Sequence, residues 1–336
     1  MRVGIIGTGA ISHKHAQAYS NIGYKLTVCT DFHEESGRAF AARYGCEFVS
    51  TYEELCRHPE VDYVDVCTFP EFRLPPLLLC AEAKKHIQVQ KPMATNLETA
   101  RQMIQTACDA GIQLGVISQH RFDDSVQFVR SAMATGRMGK ILEADAVVKW
   151  YRSPAYYSRS LKGSWQTEGG GALITQAIHS VDMLLFLMGD ISEVFGYWQL
   201  GGRHKIESED VLAAVVKFAS GATGVIQAST AFWPGYTERI EIHGTRGTAI
   251  ISGDQLTRWD IENDQGGRAP VAYDIHSAAS DPMAAALASF ERQFLDFGES
   301  IRCGKKPCST GEDGYRVLQV VTSLYESCRK GCSVKL

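Results

Sequence analysis

The sequence predicts an α/β protein. An N-terminal doubly wound parallel sheet is followed by an α+β domain with a large, open, mostly antiparallel sheet. Three observations carry this. Strand-like and helix-like runs alternate through the first 118 residues, a glycine-rich turn closes the first strand, and after Gly139 long strand-like runs are separated by Gly and Pro turns. A chain of 336 residues is too long for one ordinary core. We expect two domains, 1–119 and 120–336.

The elements follow in order. Strands are predicted at "RVGIIG" (2–7), "KLTVCT" (25–30), "VDYVDVCTF" (61–69), "IQVQ" (87–90) and "IQLGVIS" (112–118), with helices between them. Two helices open on a capping-box pattern, Thr51 with Glu54 and Thr95 with Glu98. Beyond Gly139, strands are predicted at 140–150, 193–200, 211–218, 223–231, 237–243 and 248–260. Two helices, about 283–302 and 311–330, close the chain.

Composition narrows the function. The net charge of −4 gives no basic signal for nucleic acid or an anionic membrane. No uninterrupted apolar run reaches about 18 residues, and the N-terminus has no long apolar segment, so neither a membrane span nor a signal peptide is expected. The ten cysteines form no CxxC pair, which predicts reduced thiols, a cytoplasmic protein and no metal site.

"VGIIGTGAIS" follows a strand and opens a helix. Gly7 permits the tight turn, and Gly9 lets the backbone approach a pyrophosphate at the helix N-terminus, beside Ala10 and Ile11. Ser12 takes the place of a third glycine. Asp31, 22 residues after Gly9, supplies the carboxylate that accepts hydrogen bonds from ribose hydroxyls. No Arg or Lys directly follows it, which favours NAD over NADP. "IQVQKPMA" ends the fifth predicted strand at Gln90-Lys91-Pro92, placing Lys91 at the carboxyl edge of the sheet, where such folds bind their ligands. Proline keeps Lys91 out of the helical region and makes a cis bond plausible.

These pieces, with "VCTFP", "GRMGKI", "GGGALITQAIHSVD", "HGTRGT" and "GEDGYRVLQV", resemble the Gfo/Idh/MocA oxidoreductases across nearly the whole length. The resemblance implies a Rossmann domain binding NAD. It also implies a second domain whose open sheet often packs against another subunit, and hence a homo-oligomer, dimer or tetramer. Its EKP motif falls on Gln90-Lys91-Pro92, its catalytic lysine on Lys91 and its catalytic histidine on His179; Thr68, Arg73, Gln90 and Lys91 join the cofactor-binding set. Three departures stand out: Gln90 in place of glutamate, Arg73 where the family often has histidine, and Thr175 where inositol dehydrogenase-like members carry aspartate. The last turns the expectation from a cyclitol towards a pyranoside, a uronate or a nucleotide sugar.

Read as one helix, "LITQAIHSVDMLLFLM" puts Thr175, His179, Asp182 and Phe186 on one stripe, with Asp182 positioned to hold the His179 ring. The expected reaction moves hydride between a secondary alcohol or ketone of a sugar and nicotinamide. His179 is the favoured base and Lys91 stabilises the alkoxide, with the swapped assignment left open. Arg121, Trp165 and Tyr236 are further substrate-binding candidates. Arg152, Arg159 and Lys162, interleaved with aromatics, would suit an anionic substrate. His13, His15, His120 and His243 show no ligand spacing and read as structural or surface residues. Two other functions remain alternatives, an NAD-dependent glycosidase working by transient oxidation and a non-catalytic NAD-binding regulator.

Overall fold

The computed structural model describes residues 1–158, 161–266, 269–272, 275, 277, 279 and 286–336. The chain divides into two units, Met1–Gln119 with Leu287–Tyr315, and His120–Ala286 with Arg316–Leu336.

The first unit begins β1 (Arg2–Ile6), α1 (Ala10–Asn21), β2 (Lys25–Thr30), α2 (Glu34–Tyr44), β3 (Glu47–Phe48), α3 (Tyr52–Cys56), β4 (Tyr63–Val66), α4 (Leu74–Glu82), β5 (His86–Val89), α5 (Leu97–Ala110) and β6 (Leu114–Val116). The six strands pair in parallel in the order β3-β2-β1-β4-β5-β6. Strand order therefore reverses at β1, between β2 and β4, and such a switch point opens a ligand crevice at the carboxyl ends. Thr51 caps α3 as the sequence predicts, accepting from Glu54 N–H. The cap of α5 is Asn96 rather than Thr95. The Asn96 amide oxygen takes Thr99 N–H at 2.9 Å, one residue later than the capping-box pattern predicts.

The second unit holds α6 (Asp124–Ala134), β7 (Ile141–Lys149), α7 (Pro154–Tyr157), α8 (Trp165–Glu168), α9 (Ile178–Met188), β8 (Ile191–Leu200), β9 (Glu209–Phe218), β10 (Thr223–Ser229), β11 (Arg239–Gly244), β12 (Gly247–Ser252) and β13 (Gln255–Ile261). Two helices and a strand follow, α10 (Leu287–Cys303), α11 (Gly311–Lys330) and β14 (Val334–Lys335). The sheet runs β13-β12-β11-β7-β10-β9-β8-β14, and every pair is antiparallel except β7 with β10. On β9, Leu212, Ala214, Val216 and Phe218 point into the core while Ala213, Val215 and Lys217 face outward, the alternation of a sheet covered on one side. α9 packs on the inner side against β7 and β11.

The predicted closing helix at 283–302 begins at Leu287; residues 283–285 lie outside the described residues. This helix, α10, belongs to the first unit and packs on α1. Phe290, Phe294 and Phe297 are at most 1% exposed, and Phe294 stacks on Tyr19 at 4.2 Å between ring centres. Burying each ring contributes about 1.5–3 kcal/mol. β6 is bridged at Gly115 to Thr310. The run Trp165–Met188 is long and apolar enough, by length and composition, to cross a membrane, although the sequence has no uninterrupted apolar run of that length. Some 72% of that window is buried inside the fold, so its apolarity has a core role.

Candidate active site

Chemistry-bearing residues gather in one cluster in each unit. In the first, the backbone crosses from β1 to α1 through Gly7, whose φ of +91° suits glycine. A Cβ there would lie 3.1 Å from Thr68. Gly9 caps α1, and a Cβ on it would meet nothing within 4 Å. No side chain caps α1 and no acidic residue stands in its first turn, while Ala10 is exposed and Ile11 half-buried. A bare helix N-terminus beside an open glycine fits a pyrophosphate. Asp31, at the end of β2, accepts from Thr8 N–H at 2.6 Å, from the Thr8 hydroxyl at 2.8 Å and from His33 N–H at 2.8 Å, which ties the carboxylate to the glycine turn. Thr68 faces Gly7 with its methyl group and its backbone N–H, and its buried hydroxyl has no partner. Loop, carboxylate and hydroxyl together fit a dinucleotide.

Lys91 lies at the carboxyl end of β5, half-buried, and its bond to Pro92 is cis. Two buried side chains hold this turn. The Arg73 guanidinium, 3% exposed, donates to the Thr68 carbonyl and to the carbonyls of Gln90 and Pro92. Burial pushes Arg73 down to about 9, which still leaves it charged near neutrality. Arg73, which the resemblance places among the cofactor ligands, gives these donors to backbone. On the other side, the Gln90 amide oxygen accepts from Lys91 N–H at 3.1 Å, and its nitrogen lies 2.8 Å from His15 Nε2. His15 Nδ1 is 2.7 Å from Asp65 Oδ2, which the Tyr19 hydroxyl also reaches at 2.7 Å. Donor atoms of His15, Asp65 and Cys67 lie within 4.8 Å of one another, a spacing a metal ion tolerates. Both ring nitrogens already have matched partners, so the cluster reads as a hydrogen-bond network.

In the second unit the glycine run enters a π-helical turn, Leu173–Ala177, that continues into α9. The sequence predicts one uniform helix here. The widening has a visible cause. Glu209, fully buried at the start of β9, accepts from Gly171 N–H at 2.7 Å, Leu173 N–H at 2.8 Å and the Tyr325 hydroxyl at 2.8 Å, and Tyr325 also takes Ile174 N–H at 3.3 Å. Such π turns concentrate at functional sites. From Gly171 to Leu185, every residue is buried except Thr175 and His179. Those two alone open this apolar stretch to a ligand.

Asp182 was expected to hold the His179 ring. Both of its oxygens are instead engaged by Arg121, with Nε at 2.9 and 3.1 Å and Nη2 at 2.6 Å. A bidentate guanidinium outcompetes the i,i+3 spacing. This pair is buried, so Arg121, a substrate candidate in the sequence, also ties α9 down through Asp182. The neighbour that the sequence left as a surface or structural residue is His120. Its ring meets the His179 ring edge-on at 5.2 Å and 84°, and its Nδ1 lies 2.8 Å from Asp123. Burial pulls the His120 imidazole down, but the Asp123 carboxylate, helped by Glu238 and Asp182, outweighs it and leaves the imidazole above its ordinary value. The i,i+3 pair in "QHRFDD" was the available signal.

The remaining candidates scatter. Trp165 packs against Trp198 and Tyr325, with its indole N–H on the Glu207 carbonyl at 3.1 Å. Tyr236 is 59% exposed. Arg152 is buried on the Gln176 amide oxygen at 2.8 Å, and Lys162 pairs with Glu168 at 2.6 Å. Both cations are thus taken up internally, and Arg159 lies outside the described residues. His13 and His243 bond to Tyr44 and Thr248.

Burial pushes the Glu209 carboxyl up to about 7, against the pull of its donors, from an ordinary 4.5. An acid raised on folding binds more protons folded than unfolded between those values, so stability falls as pH rises through 4.5 to 7. Relative to Glu209→Gln, the wild type should lose about 3 kcal/mol between pH 4.5 and pH 8. Urea unfolding of both proteins at pH 5 and pH 8 checks this, and an unchanged difference refutes it.

Comparison with known proteins identifies relatives over the whole chain. Residues 1–118 match a model of an oxidoreductase family with an NAD-binding Rossmann fold, and residues 126–250 match the GFO/IDH/MocA C-terminal domain. The chain is 28% identical to myo-inositol 2-dehydrogenase of Thermotoga maritima, covering 100% of this chain and 98% of that protein. It is also 28% identical to 1,5-anhydro-D-fructose reductase of Ensifer adhaerens, at the same coverage. The WlbA dehydrogenase of Bordetella pertussis, solved with NADH and UDP-GlcNAcA, superposes with a TM-score of 0.89 at 26% identity, over 100% of this chain and 98% of that one.

Proposed function

The chain belongs to the Gfo/Idh/MocA family of NAD-dependent oxidoreductases acting on CH–OH groups, and from that premise we propose that it interconverts a secondary alcohol and a ketone on a pyranoside, uronate or nucleotide sugar. The observation that carries the reading is the Gln90-Lys91-Pro92 turn, held at the carboxyl edge of the same sheet whose first turn fits a dinucleotide.

Bound NAD supplies the hydride acceptor at its nicotinamide C4, and Gly7, Gly9, Ala10, Ile11, Asp31 and Thr68 are the residues that would hold it. The chain supplies the proton chemistry. His179 accepts the hydroxyl proton of the substrate, because imidazole ionises nearest neutrality. Lys91 Nζ hydrogen-bonds the same oxygen and stabilises negative charge as it develops. In the reducing direction His179 returns that proton to the oxygen, and the Lys91 hydrogen bond polarises the carbonyl. Thr175, half-buried one turn before His179, contacts the sugar.

Two relatives support the substrate class. WlbA was solved with a nucleotide sugar acid, and the Ensifer enzyme is named for reduction of an anhydro sugar. Pairing of Lys162 with Glu168 takes one cation away from a negatively charged substrate group. The outward face of the second sheet exposes Tyr197, Leu200 and Val215, and a homo-oligomer covers it. Ten free thiols suit the cytoplasm.

The test is NADH formation over neutral pyranosides, uronates and nucleotide sugars, run alongside release of dinucleotide on denaturation. We expect turnover with at least one class and NAD in the extract or bound on titration. NAD binding with no turnover on any sugar overturns the catalytic reading, and sugar release without net NADH replaces it with the glycosidase.

A further inference from the structure

We propose that Gln90, His15 and Asp65 form a positioning relay that fixes the backbone of Lys91, and that Gln90 dictates which nitrogen of His15 carries the hydrogen. This rests on the reading that Lys91 acts on the substrate, and it adds residues that never touch it.

The relay lies inside the first unit. His15 is on the buried side of α1, fully enclosed, with the rings of Phe290 and Phe294 at 5.3 and 5.0 Å. Cut off from bulk solvent, each ring nitrogen needs a partner within the fold, and each has one. The matching has one solution. The Lys91 backbone N–H donates to the Gln90 side chain, which therefore presents its amide oxygen there. The amide NH₂ then faces His15 Nε2 at 2.8 Å. An amide nitrogen only donates, so Nε2 accepts and is bare. The ring hydrogen is on Nδ1 and is given to Asp65 Oδ2 at 2.7 Å. Asp65 Oδ2 also receives the Tyr19 hydroxyl at 2.7 Å, and the Cys67 thiol points to Oδ1 at 3.8 Å. Donation runs one way, from Gln90 to His15 to Asp65, and ends on a carboxylate fed from three sides.

Two consequences follow. The Lys91 turn is gripped through its N–H by this relay and through the flanking carbonyls of Gln90 and Pro92 by Arg73, so its backbone cannot rock without breaking buried bonds. A glutamate at position 90 would reverse the logic. A carboxylate only accepts, so His15 would have to donate from both nitrogens, one to each acid. The departure at Gln90 therefore sets a singly protonated ring behind the lysine.

Long-range ¹H–¹⁵N spectra of the full-length protein labelled at histidine read this directly, with the His15 signal assigned by its loss in His15→Gln. At pH 7 we expect Nε2 unprotonated and Nδ1 protonated in the wild type, and both protonated in Gln90→Glu. Kinetics supply the second arm. Gln90→Leu, which keeps the volume and removes both bonds, should lower kcat about ten-fold with KM for NAD moved less than about two-fold. Gln90→Glu should recover part of that loss by again accepting from Lys91 N–H. A protonated Nε2 in the wild type overturns the relay whatever the turnover. A bare Nε2 with undiminished kcat in Gln90→Leu overturns its positioning role. Full activity in Lys91→Ala overturns the reading of the lysine instead and leaves the tautomer result standing. If Gln90→Leu does not fold, the wild-type and Gln90→Glu spectra decide.

Discussion

Replacing Lys91 with alanine is expected to lower turnover about a thousand-fold while NAD binding stays within a few-fold. The loss is the middle of the range for removing a group that handles a proton or its charge in the transition state. NAD binding should persist because the glycine turn, Asp31 and Thr68 are independent of the lysine side chain, and because what Arg73 and Gln90 grip at this turn is backbone. Steady-state kcat and a fluorescence titration with NADH separate the two effects. Near-normal turnover would sink the assignment. A matching loss of cofactor affinity would show that Lys91 holds the dinucleotide rather than the reacting oxygen. His179→Ala should cost a comparable factor, and the pH profile of whichever variant retains measurable rate identifies the base.

The second large effect is structural. A Cβ on Gly171 would lie 1.8 Å from the carbonyl oxygen of Glu209 and 2.8 Å from Glu209 Oε2. The first contact is with backbone, at the start of β9, and no rotamer relieves it. Gly171→Ala must therefore push the entry to α9 away from β9 and break the bonds from Gly171 and Leu173 to the carboxylate. We expect a loss of at least about 3 kcal/mol, the upper end of overpacking, together with loss of activity. Urea unfolding and the soluble yield measure it. Wild-type stability in Gly171→Ala would mean that the glycine run is there for substrate access alone.

What the sequence could disclose depended on how local the cause was. Gly7, Asp31 and the Lys91-Pro92 turn were legible because each answers a requirement of the strand, turn and helix containing it. The alternation of β9 and the parallel order of the first sheet follow in the same way from side-chain periodicity and connection length. The grip of Arg73 on backbone was not legible because its three acceptors, the carbonyls of residues 68, 90 and 92, come from the ends of two strands and no spacing announces them. Glu209 was missed for the same reason, since its partner Gly171 is 38 residues upstream. Asp182 illustrates competition: helical spacing put it near His179, yet a guanidinium from outside the helix claimed it. β14 has two residues and pairs with β8 about 140 positions earlier, too short a stretch to carry a pattern. Trp165 is next to the glycine run in sequence, but its ring packs into an aromatic cluster around Tyr325.

The return of α10 to the N-terminal unit has a consequence for biosynthesis. Tyr19 and His15 are sealed by Phe290 and Phe294, and the last strand of the parallel sheet is bridged by Thr310. A ribosome finishes β6 nearly two hundred residues before it supplies these groups, a delay of roughly 10–40 s at 5–20 residues per second. During that interval the nascent nucleotide-binding half shows an uncovered aromatic surface, a natural target for chaperones. A fragment ending near residue 119 would remain in that condition permanently.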